Sequence, residues 1–166
     1  MRVLGIDPGS RRTGWGVVEL RGTRLLHVGA GTIAVGSRSS LAERLAGIHE
    51  GLEGVVTSHG PSVVAVEEIF FAKHANAALK LGHARGVALL VAAQAKLAVH
   101  EYPPAIVKRT VVGRGQADKS QVGRLVSALL GLRETPDVDA CDALAVAITH
   151  IQAFRSSAVK MGTSVQ

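Results

Sequence analysis

Several residue types are scarce in this chain of 166 residues, and each scarcity excludes a class of protein. A single cysteine, Cys141, cannot form an internal disulfide, which is typical of a reducing compartment. Aromatic residues make up only 3% of the chain, so we expect an aliphatic core. No uncharged run reaches the ~20 residues that a membrane helix needs, and the N-terminal segment lacks the layout of a signal peptide. These absences predict a cytoplasmic protein with no membrane partner.

Acidic residues are also in the minority. The chain has 13 acidic and 19 basic residues, which gives a formal net charge of +6. Such a balance favours a polyanionic partner, and nucleic acid is the leading candidate. Net charge alone fits a merely basic soluble protein equally well, so the chemistry has to come from particular residues.

The hydrophobic pattern predicts one α/β domain over residues 1–155, followed by a flexible tail at 156–166. We expect a five-stranded mixed sheet with helices on both faces. The predicted strands are 3–7, 14–20, 25–35, 62–67 and 98–102. The predicted helices begin at 41, with Gly60-Pro61 ending the first, and then span 75–97, 105–112, 119–130 and 139–154.

Four carboxylates stand at positions that favour a shared site. Asp7 and Glu67 each end an apolar strand, and the carboxyl ends of parallel strands meet at one edge of a sheet. Asp139 and Asp142 lie three residues apart in the first turn of the last helix, so they share one helical face. If that helix packs on the sheet, its acidic end approaches the same edge.

Clustered carboxylates repel one another unless they are protonated or bridged by cations. All-oxygen ligation suits Mg²⁺ or Mn²⁺, and such a site hydrolyses phosphodiesters. Each acid also has a structural explanation. Asp7-Pro8-Gly9 could form a turn, and Asp139 could cap the last helix. Asp137, Asp139 and Asp142 together could interact favourably with the helix dipole. Glu67 resists such an explanation best, although its neighbour Glu68 is an alternative functional acid.

Basic residues flank the predicted site. Lys108, Arg109, Arg114, Lys119 and Arg124 lie close together in sequence and predict a phosphate-binding rim. A cation such as Lys119 in the first turn of a helix opposes the helix dipole. A phosphate bound there would be held by both the lysine and the free N–H groups. Arg11 and Arg12, beside the Asp7 turn, are candidates to hold a backbone phosphate. The alternative for every one of them is a solvated surface cation.

A few other side chains are candidates for contacts near the site. Phe70 and Phe71 follow Glu67, where one can enter the core while the other stacks on an unpaired base. His150, late in the last helix, is a candidate for a role behind the metal ligands. Cys141 should point into the interior and be inert.

The apolar helix around Gly86 to Ala95 has more hydrophobic surface than a small sheet can cover. Gly82 and Gly86 cost ~1 kcal/mol each inside a helix and need a packing reason. A second subunit provides one, and burial beneath the chain's own helices is the alternative.

Six segments form a set in fixed order: Ile6-Asp7-Pro8-Gly9 with Thr13-Gly14-Trp15-Gly16, Val66 to Phe71, Leu79 to Gly86, Val107 to Gly113, Asp118 to Val122, and Asp139 to Ala145. In this order they resemble the RuvC family of bacterial Holliday-junction resolvases. The likeness covers about residues 1 to 155.

The resemblance implies an RNase H-like fold, a homodimer, and Mg²⁺-dependent paired cuts across four-way junction DNA. It implies two Mg²⁺ ions per site with Mn²⁺ as a substitute, and the branch-migration motor of RuvA and RuvB as a partner. The family's catalytic carboxylates fall on Asp7, Glu67, Asp139 and Asp142. Lys108 and Lys119 match the basic positions that assist binding and catalysis, and Phe70 matches the stacking aromatic.

Three other functions compete. The Asp-Pro-Gly-Ser turn resembles a phosphate loop of actin-like kinases or ATPases, but those need two lobes. A related RNase H-like nuclease acting on ribosomal RNA precursors fits the acids alone, whereas the Phe70 and Lys119 matches favour junction DNA. A non-catalytic basic binding protein has no use for Glu67 at a strand end.

Overall fold

The computed structural model describes residues 1–36, 38–68, 75–113 and 119–162. Five strands and five helices form in these ranges, in the order β1 (Arg2–Asp7), β2 (Arg12–Arg21), β3 (Arg24–Ala34), α1 (Leu41–His59), β4 (Val63–Glu67), α2 (Ala75–Gln94), β5 (Ala98–Tyr102), α3 (Pro104–Val112), α4 (Lys119–Leu130) and α5 (Val138–Gly162). None of these helices is both long enough and apolar enough to cross a membrane.

The strands form one mixed sheet in the order β3-β2-β1-β4-β5. The first three strands pair antiparallel as a meander, whereas β4 pairs parallel with both β1 and β5. The short apolar runs of β1 and β4 occupy the centre because both of their faces are covered. The predicted five-stranded mixed sheet is confirmed, and its parallel part brings the ends of β1 and β4 to one edge.

Two aliphatic cores lie on opposite faces of the sheet. One face packs against α3, α4 and α5 and includes Val3, Val63 and Ala65. The other packs against α1 and α2 and includes Leu4, Ile6 and Val64. The alternation along each strand separates the two sets, since successive side chains point to opposite faces. Helices therefore cover both faces, as predicted.

Helix α5 lies unusually close to the sheet. A methyl group added at Gly5 would overlap the Ala143 carbonyl oxygen and lie 2.7 Å from the Ala147 nitrogen. One added at Gly14 would overlap the Asp139 carbonyl oxygen and lie 2.5 Å from its carbon. The lack of a side chain at these strand positions lets the helix backbone rest directly on the strands.

Two helix ends differ from the predicted ones. The apolar pattern of α2 continues to Leu97, but the helix ends at Gln94 because Lys96 adopts a left-handed conformation with φ of 56°. Helix α5 continues beyond the predicted end at Phe154 to Gly162, so residues 156–162 are helical. The hydroxyls of Ser156 and Ser157 donate to carbonyls one turn back, at 3.0 Å each, and so remain compatible with the helix.

Candidate active site

The turn after β1 is held from both sides. Thr13, fully buried, donates its hydroxyl to the Gly9 carbonyl at 2.9 Å and accepts from the Gly9 amide at 3.4 Å. On the α1 side, the Arg44 guanidinium donates to the Ser10 carbonyl at 3.3 Å. These contacts hold the connection between β1 and β2, which begins directly after Asp7.

Three of the four predicted carboxylates line one cavity of about 220 Å³, together with one lysine. These residues are Asp7 from β1, Glu67 from β4, Asp142 from α5 and Lys108 from α3. Four apolar or aliphatic-ring residues complete the lining: Pro104, Val107, Val122 and Ala145. The cavity thus brings three acids from distant parts of the chain around a space walled by apolar groups.

Strand periodicity explains why Asp7 and Glu67 share this cavity. Asp7 has the same parity along β1 as Val3, and Glu67 the same parity along β4 as Ala65; both apolar residues belong to the core beneath α5. Glu68 does not line the cavity, and its amide donates to the Tyr102 carbonyl at 2.9 Å. Of the two adjacent glutamates, the structure brings Glu67 to the other acids.

Asp139 does not line this cavity and is paired with Arg12. The Arg12 Nε lies 2.5 Å from an Asp139 carboxylate oxygen, and a terminal guanidinium nitrogen lies 4.0 Å from Asp137. The hydrogen bond and charge of Asp139 raise the pKa of Arg12. This contact was not anticipated: Arg12 was predicted to hold a phosphate and Asp139 to join the other three acids.

Asp137 is the residue that caps α5. Its carboxylate accepts from the Ala140 amide at 3.0 Å and from the Thr32 hydroxyl at 2.7 Å. Burial acts to raise the pKa of Asp137, but these hydrogen bonds outweigh it and lower the pKa overall. Asp139 therefore has no capping task, and its carboxylate is available for the Arg12 contact.

Sequence reasoning missed Thr32 and did not choose Asp137 as the cap. The local signal for the cap was present, because a side-chain oxygen that accepts from the amide three residues later is a typical N-cap. No local signal pointed to Thr32, which reaches Asp137 only because β3 lies beside the start of α5 in the fold.

The predicted DNA-binding residues occupy several places around the cavity. Lys108 lines it and is exposed, whereas Arg109, also exposed on α3, does not line it. Arg11 is exposed and, among the described residues, forms no ion pair. Lys119 begins α4, one turn before Val122 of the cavity wall. Phe70 and Arg114, and the side chain of Lys119, lie outside the described residues.

His150 does not line the acidic cavity. It lines a different cavity with Met1, Val63 and Tyr102. There it hydrogen-bonds the Tyr102 hydroxyl at 2.9 Å and packs against the His100 ring. Burial and the neighbouring His100 lower the pKa of His150.

Cys141 is buried between the two aspartates of α5, as predicted. Its thiol donates to the Pro136 carbonyl at 3.3 Å. Burial, followed by the charges of Asp142 and Asp137, raises the pKa of the thiol to about 11. A thiol with such a pKa is protonated at neutral pH, which makes it inert.

The donor set suits a hard divalent cation. The cavity supplies carboxylate oxygens and no sulfur or imidazole ligand, which is the chemistry that Mg²⁺ and Mn²⁺ prefer. Within the described ranges, however, no three acidic, histidine or cysteine side chains already lie close enough to hold one ion. Binding would therefore draw the carboxylates together.

A groove of about 690 Å³ runs along the exposed face of α2. Apolar and small residues line most of it, with His83 as the polar member: Ala78, Leu79, Gly82, Gly86, Val87 and Leu90. Leu79 is 64% exposed and Leu90 50% exposed. A methyl group at Gly82 or Gly86 would meet nothing within 4 Å in the described chain. Within the described part of the chain, no other helix covers these two glycines.

Comparison with known proteins gives a consistent result. The family model for crossover junction endodeoxyribonuclease RuvC matches residues 3–150. The RuvC of Sorangium cellulosum is 54% identical over 153 residues, covering 92% of this chain and 86% of the relative. The match to the family model begins within β1 and ends within α5.

Solved structures agree with the sequence comparison. Thermus thermophilus RuvC in complex with a Holliday-junction substrate superposes with a TM-score of 0.88 at 36% identity, covering 95% of this chain and 96% of the other. The yeast mitochondrial Holliday-junction resolvase shares the fold, with a TM-score of 0.65 at 12% identity over 96% of this chain and 83% of the other. The RNase H-like fold expected from the sequence is thereby confirmed. On the family model and these identities, the chain belongs to the RuvC family of crossover junction endodeoxyribonucleases.

Proposed function

We propose that this protein is a structure-selective endonuclease that resolves four-way DNA junctions in recombination and repair by paired, two-fold related phosphodiester cuts. The observation that supports it best is the meeting of Asp7, Glu67 and Asp142 in one cavity with Lys108. Membership of the RuvC family supports the choice of substrate. The rival nuclease on ribosomal RNA precursors would use similar acids but belongs to a different family.

The metal ligands in this proposal are Asp7, Glu67, Asp142 and, after release from Arg12, Asp139. The cofactor is two Mg²⁺ ions per site, with Mn²⁺ as a substitute. When bound, such ions supply a nucleophilic hydroxide and stabilise the leaving oxygen. The carboxylates hold the ions, and the apolar wall of Val107, Val122 and Ala145 limits the water around the scissile phosphate.

The basic residues bind the DNA backbone in this proposal. Lys108 has an exposed ammonium at the rim of the acidic cavity, where a phosphate that approaches the carboxylates needs a compensating cation. Lys119 assists from the start of α4. Arg109, Arg114, Arg11 and Arg12 extend the contact to flanking phosphates, and Phe70 stacks on an unpaired base at the junction centre.

The active form is a homodimer that pairs through α2. Support comes from the exposed apolar groove and from Gly82 and Gly86, which leave room for a second helix to approach. A two-fold dimer would present two acidic cavities to opposite strands of one junction, which is what paired cuts require. The dimer acts in the cytoplasm with the branch-migration motor of RuvA and RuvB.

Cleavage assays test the nuclease assignment. A labelled four-way junction, a linear duplex and an RNA–DNA hybrid are incubated with the protein in Mg²⁺ and in EDTA. We expect cuts in the junction alone and only with Mg²⁺. Glu67→Gln should reduce the single-turnover rate by at least ~10²-fold, because metal-based stabilisation is worth several kcal/mol.

Glu68→Gln is the matched control, since it removes the same charge from the adjacent residue. It should cut at near the parental rate, because Glu68 does not line the cavity. Equal loss in both variants would contradict the choice of Glu67, and cleavage of the hybrid alone would favour the RNA-directed rival.

Sedimentation tests the dimer. Gly86→Leu places a large side chain in the α2 groove, where it meets nothing in the described chain but would obstruct a second helix. We expect the parental protein to sediment as a dimer and Gly86→Leu as a monomer with unpaired nicks. A parental protein that is a stable monomer would contradict the proposal and leave the nuclease assignment intact.

A further inference from the structure

The Arg12 Nε lies 2.5 Å from one carboxylate oxygen of Asp139, which is one of the four proposed metal ligands. The Asp139 side chain is 26% exposed and that of Arg12 54% exposed, so both groups remain reachable by solvent and ions. Asp142, three residues further along α5, lines the acidic cavity, whereas Asp139 does not. One turn of helix thus presents one acid to the cavity and one to a guanidinium.

We propose that Arg12 competes with the metal ion for Asp139, and so sets the concentration of divalent cation at which the site fills. This inference rests on the proposed function, in which Asp139 is a metal ligand. The guanidinium occupies one Asp139 oxygen at 2.5 Å, and a divalent ion bound to the same carboxylate would be repelled by that positive charge. Arg12 therefore opposes metal binding at Asp139.

The residues around Arg12 and Asp139 allow this ion pair to break without moving the helix. Asp137 is anchored independently of Arg12, by the Thr32 hydroxyl at 2.7 Å and the Ala140 amide at 3.0 Å. The start of α5 is therefore held in place when Arg12 moves, and only the two side chains need to rearrange. The second guanidinium contact, to Asp137 at 4.0 Å, gives Arg12 an anionic neighbour when Asp139 turns away.

The magnitude expected is modest, because the pair is solvent-accessible. An exposed ion pair of this kind changes affinity by roughly fivefold at most. Removing a nearby positive charge also lessens its repulsion of the incoming ion. Together these effects predict Mn²⁺ binding about five- to tenfold tighter without the guanidinium.

The test measures Mn²⁺ affinity of the full chain without DNA, by the electron paramagnetic resonance signal of free Mn²⁺. We expect Arg12→Gln to bind Mn²⁺ about five- to tenfold more tightly than the parental protein. Arg12→Lys keeps the charge and should fall between the two. Arg11→Gln removes the same charge one residue away from the contact and should change the affinity by less than about twofold.

Asp139→Asn separates failure of this inference from failure of the proposed function. It should weaken Mn²⁺ binding by at least about tenfold, and Arg12→Gln should then have no further effect. Weaker or unchanged binding in Arg12→Gln, with Asp139→Asn still impaired, overturns the competition and leaves the metal site standing. Unchanged Mn²⁺ affinity and cleavage in Asp139→Asn overturns the ligand assignment and the inference with it. Circular dichroism of each variant confirms that it is folded.

Discussion

Gly14→Ala tests how strictly the catalytic geometry depends on the seating of α5. The added methyl group would lie 2.5 Å from the Asp139 carbonyl carbon, whereas an ordinary contact begins near 3.4 Å. The obstacle is helix backbone, which cannot rotate out of the way as a flexible side chain would. The first turn of α5 must therefore move outward by about 1 Å, and Asp139 and Asp142 move with it.

Two measurable effects follow from this displacement. Overpacking of this kind costs about 1–3 kcal/mol of stability, which lowers the melting temperature by about 3–10 °C in a chain of this size. A misplacement of about 1 Å at a reacting centre costs about 10²-fold in rate. Junction affinity should change little, because Lys108 and the rest of α3 stay where they are.

The assay combines thermal unfolding, single-turnover cleavage and junction binding on the same preparation. Gly54→Ala is the matched control, since a methyl group there meets nothing within 4 Å on the exposed side of α1. It should stabilise the protein by up to about 1 kcal/mol and leave cleavage unchanged. A Gly14→Ala protein that melts and cuts like the parent would refute the close seating of α5 on β2.

Three further outcomes follow from individual side chains. Lys108→Gln should reduce the slope of log affinity against log salt by ~1, as for one lost phosphate contact, while Lys96→Gln, on the α2–β5 turn, should leave it unchanged. The pKa of His150 lies below its ordinary 6.5, so as the pH falls the unfolded chain takes up the proton before the folded protein does. The free energy of unfolding, measured with urea, should therefore be highest above pH 6.5 and decrease below it. In His150→Asn this decrease should be smaller. Cys141 in the native protein should react with a thiol reagent at pH 8 roughly a hundredfold more slowly than in the unfolded chain, since little thiolate forms at a pKa of about 11; equal rates would contradict its burial.

The part of the site that could be predicted from the sequence depends on local pattern. Asp7 and Glu67 each close an apolar alternating run, so strand geometry alone assigns them to one edge and one face of the sheet. Asp142 follows from the amphipathic start of α5. In each case the spacing between a polar residue and its apolar neighbours carries the information.

The contacts that escaped prediction are those between distant segments. Arg12 and Asp139 are far apart in sequence, and nothing in the local pattern of either distinguishes an ion pair from two solvated charges. The end of α2 was missed for a different reason: Lys96 takes a left-handed conformation that glycine usually supplies. The length of α5 was underestimated because small polar residues indicate fraying, whereas the hydroxyls of Ser156 and Ser157 bond within the helix.

The cavity joins the first strand of the chain to its last helix, which has a consequence during synthesis. Ribosomes release the N-terminal segments first, so β1, β2 and β3 emerge long before α5. A nascent chain that already exposes Asp7 and Glu67 still lacks Asp142, and the sheet face that α5 covers remains open. On the proposed function, a chain that ends before Asp142 lacks one of the proposed metal ligands, and we expect it to be unable to cut DNA.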